Sequence, residues 1–355
     1  MEKVTHKQLV EHLLHAYKIG KISVFLHGLH GTGKSQAIKA VAQTLAKEMK
    51  LEFTENGKEN EKTFGFRDVR LAQMESVDLR GTPKVEDGKT KWFAPDWIPE
   101  NTESHGIMFF DEFDKATPSV QNASLQIMLD RKIGNAHIPD GWMILTAGNM
   151  SDENAHSFEI SSVLNNRFKH FELIVPTPKL WTEWAIQNGI NSHIVAFLNF
   201  KPQYIYKYDE NTKDVAHPTP RTWQFCSQSI EGVTDTAFME REVASCVGKG
   251  VAIEFSSWYK MQEKVDLDAI VKNPELVTKV KEISLKWAVV SGLSEKYKSD
   301  RKILEPLLEV VKLIEPEFGF ILLGYLRSTD KMAFGKIVTS KIWKEVASKY
   351  GKYLD

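Results

Sequence analysis

Residues 22–35 read I-S-V-F-L-H-G-L-H-G-T-G-K-S. An apolar run gives way to a loop in which Gly28, Gly33, Lys34 and Ser35 keep the spacing G-x-x-x-x-G-K-[ST]. A helical run follows from Gln36 through Met49. Glycines let a backbone wrap closely, so that its N–H groups turn toward phosphate oxygens. The spacing gives Lys34 the β- and γ-phosphates of a nucleotide and the Ser35 hydroxyl a Mg²⁺ ion. The helix that follows adds the positive end of its dipole. Gly28, His30, Gly31, Thr32, Gly33, Lys34, Ser35 and Gln36 are the expected phosphate-binding residues.

The rest of the chain bounds this reading. With 355 residues there is room for two or three domains. Hydrophobic residues at 42% and charged residues at 26% are ordinary for a soluble globular protein. A formal net charge of −1 argues against a protein built to coat nucleic acid or anionic membrane. Cys226 and Cys246 are the only cysteines, so no disulfide framework is expected and a reducing compartment is. The polar start M-E-K-V-T-H-K-Q lacks the apolar core of a signal peptide. The longest apolar run, near Phe318–Leu326, falls far short of the ~20 residues of a membrane span. A soluble, cytoplasmic protein is expected.

Residues 1–20 have helical spacing at Leu9, Val10, Leu13, Leu14 and Tyr17, with Gly20 as a stop. His6, His12 and His15 lie on it as surface histidines or, alternatively, as a metal site. Strands are expected at 22–26, 66–71, 106–110, 142–147 and 171–175, with a solvated loop over 55–62 and another over 74–83. Residues 89–99 suggest a short hairpin, with Trp92 and Trp97 packing it or contacting a substrate.

The strand at 106–110 runs directly into Asp111-Glu112-Phe113-Asp114. A carboxylate there can hold the Mg²⁺ shell beside a nucleotide, and Glu112 can activate the attacking water. Strand-then-D-E is weak alone and strong when paired with the upstream loop. No N-K-x-D guanine reader is found, and the adjacent Glu points to ATP hydrolysis. A helix over 117–131 and a turn or hairpin over 132–141 follow. Asn149, after the strand at 142–147, is placed either to bond the γ-phosphate or water, or merely to cap a turn. A helix ending at Arg167-Phe168 leads into the last strand, and Pro176 and Pro178 mark a boundary. Beyond it the pattern is helical, interrupted by a polar excursion at 201–216 that is a solvated loop or an insertion for a partner.

The alternation over 22–175 argues an α/β fold, a parallel five-stranded sheet with helices on both faces. At this point the chain resembles an AAA+ ATPase of the MoxR-like, dynein-related branch. The stretches that carry the likeness are 28–35, V-D-L-R-G-T-P (77–83), I-M-F-F-D-E-F-D (107–114), T-A-G-N (146–149), S-S-V-L-N-N-R-F (161–168) and T-P-R-T-W (219–223). The resemblance implies a nucleotide-binding core over 1–176, an α-helical lid over 177–263, and a helical region over 264–355 that matches nothing. It makes Lys34 and Ser35 the Walker A residues and Asp111 and Glu112 the Walker B carboxylate and base. Asn149 becomes sensor 1, Arg167 an arginine finger acting on a neighbouring subunit's ATP, and Arg221 sensor 2. It further implies ATP and Mg²⁺, a ring, expected to be a hexamer, and a protein client, with a von Willebrand-type partner. The alternatives are a nucleic-acid motor, kept open by the Lys-rich stretch 331–352, and a nucleotide-gated binding module with little turnover. His27 and His30 stand where small or polar residues are usual, and the sequence assigns them nothing further.

Overall fold

The computed structural model describes residues 1–57, 59–133, 136–149, 157–208, 215–337 and 341–354. The chain divides into two compact units, Met1–Val175 and Pro176–Asp355.

The first unit holds strands β1 (Glu2–Val4), β2 (Val24–Gly28), β3 (Glu52–Glu55), β4 (Thr63–Arg70), β5 (Thr82–Glu86), β6 (Lys89–Phe93), β7 (His105–Asp111), β8 (Lys132–Ile133), β9 (Ala136–His137), β10 (Trp142–Gly148) and β11 (Lys169–Leu173). Its helices are α1 (His6–Gly20), α2 (Lys34–Met49), α3 (Ser76–Arg80), α4 (Pro118–Asp130) and α5 (Ser162–Asn165). Seven strands form one parallel sheet in the order β1-β11-β2-β10-β7-β4-β3. The five expected strands lie at its centre, and β1 and β3 extend it at the two edges. A strand of three residues has no readable period, so β1 was hidden inside the expected helix. It exists because Val4 pairs with Leu173.

Each central strand alternates between two apolar clusters, as the two-residue period requires. Val24, Leu26, Ile107, Phe109, Met143 and Leu145 meet α1 and α2 on one face. Phe25, Met108, Phe110, Trp142 and Ile144 meet Phe113, Val120, Ile127 and Phe168 on the other. Burial on both faces explains why β10 is buried at all seven positions. The helices are amphipathic to match: α2 turns Ala37, Ile38, Val41, Ala42, Leu45 and Ala46 to the sheet. A Thr5–Gln8 capping box starts α1.

Two local expectations change. The loop over 74–83 contains α3, begun by a Glu75–Asp78 capping box. The hairpin lies at β5–β6 rather than 89–99, and its turn is Asp87-Gly88, both at positive φ. Trp97 packs edge-on against Phe110 at 6.0 Å, whereas Trp92 on the hairpin remains exposed.

The second unit is helical throughout its described residues: α6 (Pro178–Gln187), α7 (Ser192–Phe200), α8 (Pro220–Ser229), α9 (Thr236–Val247), α10 (Lys249–Tyr259), α11 (Leu267–Lys272), α12 (Ile283–Ser299), α13 (Leu304–Leu313), α14 (Pro316–Thr329), α15 (Lys331–Ile337) and α16 (Lys341–Leu354). Phe197, Trp223, Phe255 and Trp258 form an aromatic centre. Helices from before and after residue 263 pack together, α12 on α7, and Tyr325 Oη donates to the Ile190 carbonyl at 2.7 Å. In the polar excursion Tyr204 is buried in a 3₁₀ turn; residues 209–214 lie outside the described residues. Among the described residues, no helix is long and apolar enough to cross a membrane.

Trp142 is fully buried, and its Nε1 donates to Ser104 Oγ at 2.9 Å. Trp142→Ala should therefore cost about 3–5 kcal/mol of first-unit stability, read from urea unfolding. A loss below about 1 kcal/mol would mean that the sheet face closes over the cavity.

Candidate functional site

The site is built where β2, β10 and β7 end side by side. β2 delivers the loop 28–33, and α2 begins at Lys34. Gly31 (φ 69°) and Gly33 (φ 91°) take the left-handed backbone that L side chains avoid, which turns the chain sharply into the helix. No side chain caps α2, so its first N–H groups face the loop, the arrangement that suits an anion.

Lys34 is buried at 9% exposure. Its Nζ donates to the carbonyls of Gly28 at 2.7 Å and Leu29 at 3.0 Å, and to Asn149 Oδ1 at 2.9 Å. Asn149 follows β10, the strand between the loop strand and the D-E strand. Ser35 Oγ donates to Asp111 Oδ2 at 2.8 Å. Asp111 shares the face of Ile107 and Phe109, which is the face covered by α2. The hydroxyl and carboxylate together offer hard oxygen donors, the chemistry that Mg²⁺ takes. Among the described residues, no group of three His, Cys, Asp or Glu could hold a metal by itself. His12, one of the histidines weighed for metal, instead stacks on Phe171 at 4.7 Å.

Glu112 sits at φ 54°, an uncommon backbone for a non-glycine residue. Its N–H donates to Asp111 Oδ1 at 2.9 Å, and its carboxylate pairs with Lys115 Nζ at 2.8 Å. Both members of that pair are more than a third exposed, so it is worth well under about 1 kcal/mol. Glu112 is thus lightly tethered. Thr32 and Gly31 are buried in the loop, while His30 at its rim is partly exposed and Gln36 exposed.

Three residues enter that the sequence left without a role. Asp114 is 4% exposed, and its Oδ1 accepts from the Asn149 N–H at 3.1 Å, fixing the backbone that presents Asn149. Burial pushes the Asp114 carboxyl up, against that hydrogen bond. Its spacing three residues after Asp111 was the available signal. Lys115 is the tether of Glu112. His6, at the start of α1, bonds the Thr32 carbonyl through Nε2 at 2.8 Å. Burial lowers the His6 pKa, partly opposed by that bond. Helical spacing placed His6 on a surface, because nothing local reveals a partner 26 residues away.

Arg167 is exposed on the turn after α5 and forms no ion pair with any described residue. Arg221 belongs to the second unit, exposed on the first turn of α8. The structure thus brings together the loop, Lys34, Ser35, Asp111, Glu112 and Asn149, all from the first unit.

Residues 23–168 match the family model of the AAA domain, dynein-related subfamily. No curated protein matches the chain. Among solved structures, C. elegans PCH-2 is 13% identical, covering 71% of this chain and 67% of its own, with a TM-score of 0.33. NtrX from Brucella abortus in complex with ADP is 12% identical, covering 84% of this chain and 65% of its own, at 0.37. ORC2 of Aeropyrum pernix, in its ADPNP-ADP complexes, is 10% identical, covering 98% and 94%, at 0.41. Similarity at this level assigns nothing about what this chain binds.

The half-buried histidines of this unit should make it sensitive to acid. Burial, then the His170 ring and the Lys34 ammonium, lower His27 to about 4 from an ordinary 6.5. A base depressed in the folded state binds fewer protons than the unfolded chain between those values. Its stabilisation is full above about pH 6.5 and is lost as pH falls toward about 4. The urea midpoint should drop between about pH 7 and about pH 5, less so in His27→Phe; a midpoint flat over that window would contradict the burial of these rings.

Proposed function

Because residues 23–168 form an AAA domain of the dynein-related subfamily, we propose that the chain binds and hydrolyses ATP at the carboxyl ends of β2, β10 and β7. The observation that carries this reading is the pair of cross-strand hydrogen bonds, Ser35 to Asp111 and Lys34 to Asn149. They join a phosphate loop, an acidic strand end and a polar sensor into one cluster.

The backbone from Gly28 to Gln36, with His30, Gly31, Thr32 and Gly33, cradles the phosphates. The Lys34 ammonium exchanges the Gly28 and Leu29 carbonyls for β- and γ-phosphate oxygens. Ser35 and Asp111 would hold Mg²⁺, which would supply charge neutralisation on the phosphates when bound. Asn149 orients the γ-phosphate or the attacking water. Glu112 leaves Lys115, at little cost for an exposed pair, and takes the proton of that water. Water attacks the γ-phosphorus, the β–γ bridging bond breaks, and ADP and phosphate result.

Arg167, exposed and unpaired with any described residue, acts as the finger that stabilises charge on ATP held by another copy of the chain. Such a guanidinium is worth ~10³–10⁵ in rate. A finger supplied in trans requires a second copy of the chain, and a ring, for which a hexamer is the proposed form, would give every site such a neighbour. Arg221 serves as sensor 2 on a lid formed by residues 177–263. Turnover would then drive remodelling of a protein client, with a von Willebrand-type partner as the proposed class and the cytoplasm as the proposed place.

Lys34→Ala removes a buried charge-assisted contact and should weaken ATP binding about a hundredfold, the equivalent of about 3 kcal/mol. Glu112→Gln should keep ATP affinity within about threefold of the parent and lose turnover by at least about a hundredfold. Filter binding and phosphate release measure the two. Parental affinity in Lys34→Ala, or parental turnover in Glu112→Gln, would remove the reading.

A further inference from the structure

His27 is the last residue of β2 before Gly28, and it points away from α2, onto the face of Phe25. Its ring stacks on Phe25 at 4.3 Å. His170, on the neighbouring β11, also lies over Phe25, at 5.8 Å. The two imidazoles touch: His27 Nε2 and His170 Nδ1 are 2.9 Å apart. The far nitrogen of His170, Nε2, is 2.7 Å from the Asn165 carbonyl oxygen.

The carbonyl fixes the direction of one of these bonds. A carbonyl only accepts, so His170 donates from Nε2. In a neutral His170 ring Nδ1 is then an acceptor, and His27 donates to it from Nε2. Burial, then the neighbouring His170 ring, lowers the His27 pKa, which favours a neutral His27 ring at ordinary pH.

The Asn165 carbonyl also accepts from the Phe168 N–H at 3.3 Å, closing the turn 165–168. Arg167 stands at the centre of that turn. Phe168 is anchored below it, edge-on to Phe25 at 5.5 Å. At the other end of the chain of contacts, the Gly28 carbonyl, one residue beyond His27, accepts from Lys34 Nζ. Moving the ammonium onto a phosphate releases that carbonyl.

We propose that His27 and His170 are positioning residues that join the phosphate loop to the turn displaying Arg167. Through them the nucleotide state of one subunit sets how that subunit presents its arginine to the next. The proposal rests on the reading of Arg167 as a finger acting in trans. The turn 165–168 is held by His170 at the Asn165 carbonyl, and its Arg167 is exposed to solvent. Packing alone does not account for the pair: two phenylalanines would stack on Phe25 equally well, and polar nitrogens among aromatics cost free energy unless bonded.

The test compares His170→Phe, which keeps the ring and loses both hydrogen bonds, with His170→Gln, whose amide can still donate to the Asn165 carbonyl. In the full-length chain, His170→Phe should lower kcat about tenfold or more, as a displaced catalytic group does, with KM and affinity for a fluorescent ATP analogue within about twofold. His170→Gln should recover kcat to within about threefold of the parent. His27→Phe removes only the bond between the rings and should move kcat in the same direction, which keeps the test open if His170→Phe does not fold. Combined with Arg167→Ala, neither change should slow turnover further. Parental kcat in both phenylalanine variants, or a loss of kcat matched by an equal loss of nucleotide affinity, would overturn the relay. Parental turnover in Arg167→Ala alone would instead remove the finger on which the relay rests.

Discussion

The Ser35–Asp111 hydrogen bond, 2.8 Å long, depends on two facts of the sheet. The first is strand order: β10 lies between β2 and β7, so three carboxyl ends converge where α2 begins. The second is alternation. Asp111 falls on the same face as Ile107 and Phe109, the face that α2 covers, and a slip of one residue would turn it to the other side. Because the sheet is buried on both faces by apolar clusters, that register is strongly held, and the site inherits its precision from the core.

The same cluster also accounts for how a buried lysine is tolerated. An ammonium at 9% exposure must be well bonded, and Lys34 finds two backbone carbonyls and the Asn149 amide oxygen. These acceptors are what phosphate oxygens replace in the proposed function. On that reading Lys34 is bonded in both states, and binding would exchange one set of acceptors for another. Glu112 and Arg167 follow a different rule: Glu112 is partly exposed and paired with Lys115, and Arg167 is exposed and makes no ion pair with a described residue, as the movement and the reach proposed for them require.

The central fold was legible because its signals are local. Apolar runs of buried parallel strands, a glycine loop leading into a helix and a strand ending in Asp-Glu can each be read from a few residues. The edge strand Glu2–Val4 was not legible, since its pairing partner, β11, lies some 170 residues away in the chain. The hairpin lies upstream of the expected 89–99 because its turn forms at Asp87-Gly88, where both residues take the positive φ that a two-residue turn needs. In the site, the motif residues could be named in advance; their partners could not. His6 reaching Thr32, Asp114 holding Asn149, and His27 meeting His170 are tertiary contacts between residues with no shared motif.

The central claim is that the bonds now made by Lys34 and Ser35 are those a nucleotide takes over. A structure with Mg²⁺ and a non-hydrolysable ATP analogue tests it directly. The account predicts Lys34 Nζ withdrawn from the Gly28 and Leu29 carbonyls onto β- and γ-phosphate oxygens, with Ser35 and Asp111 parted around the ion. A nucleotide bound elsewhere, or bound with the Lys34–Gly28 and Ser35–Asp111 contacts intact, would contradict it.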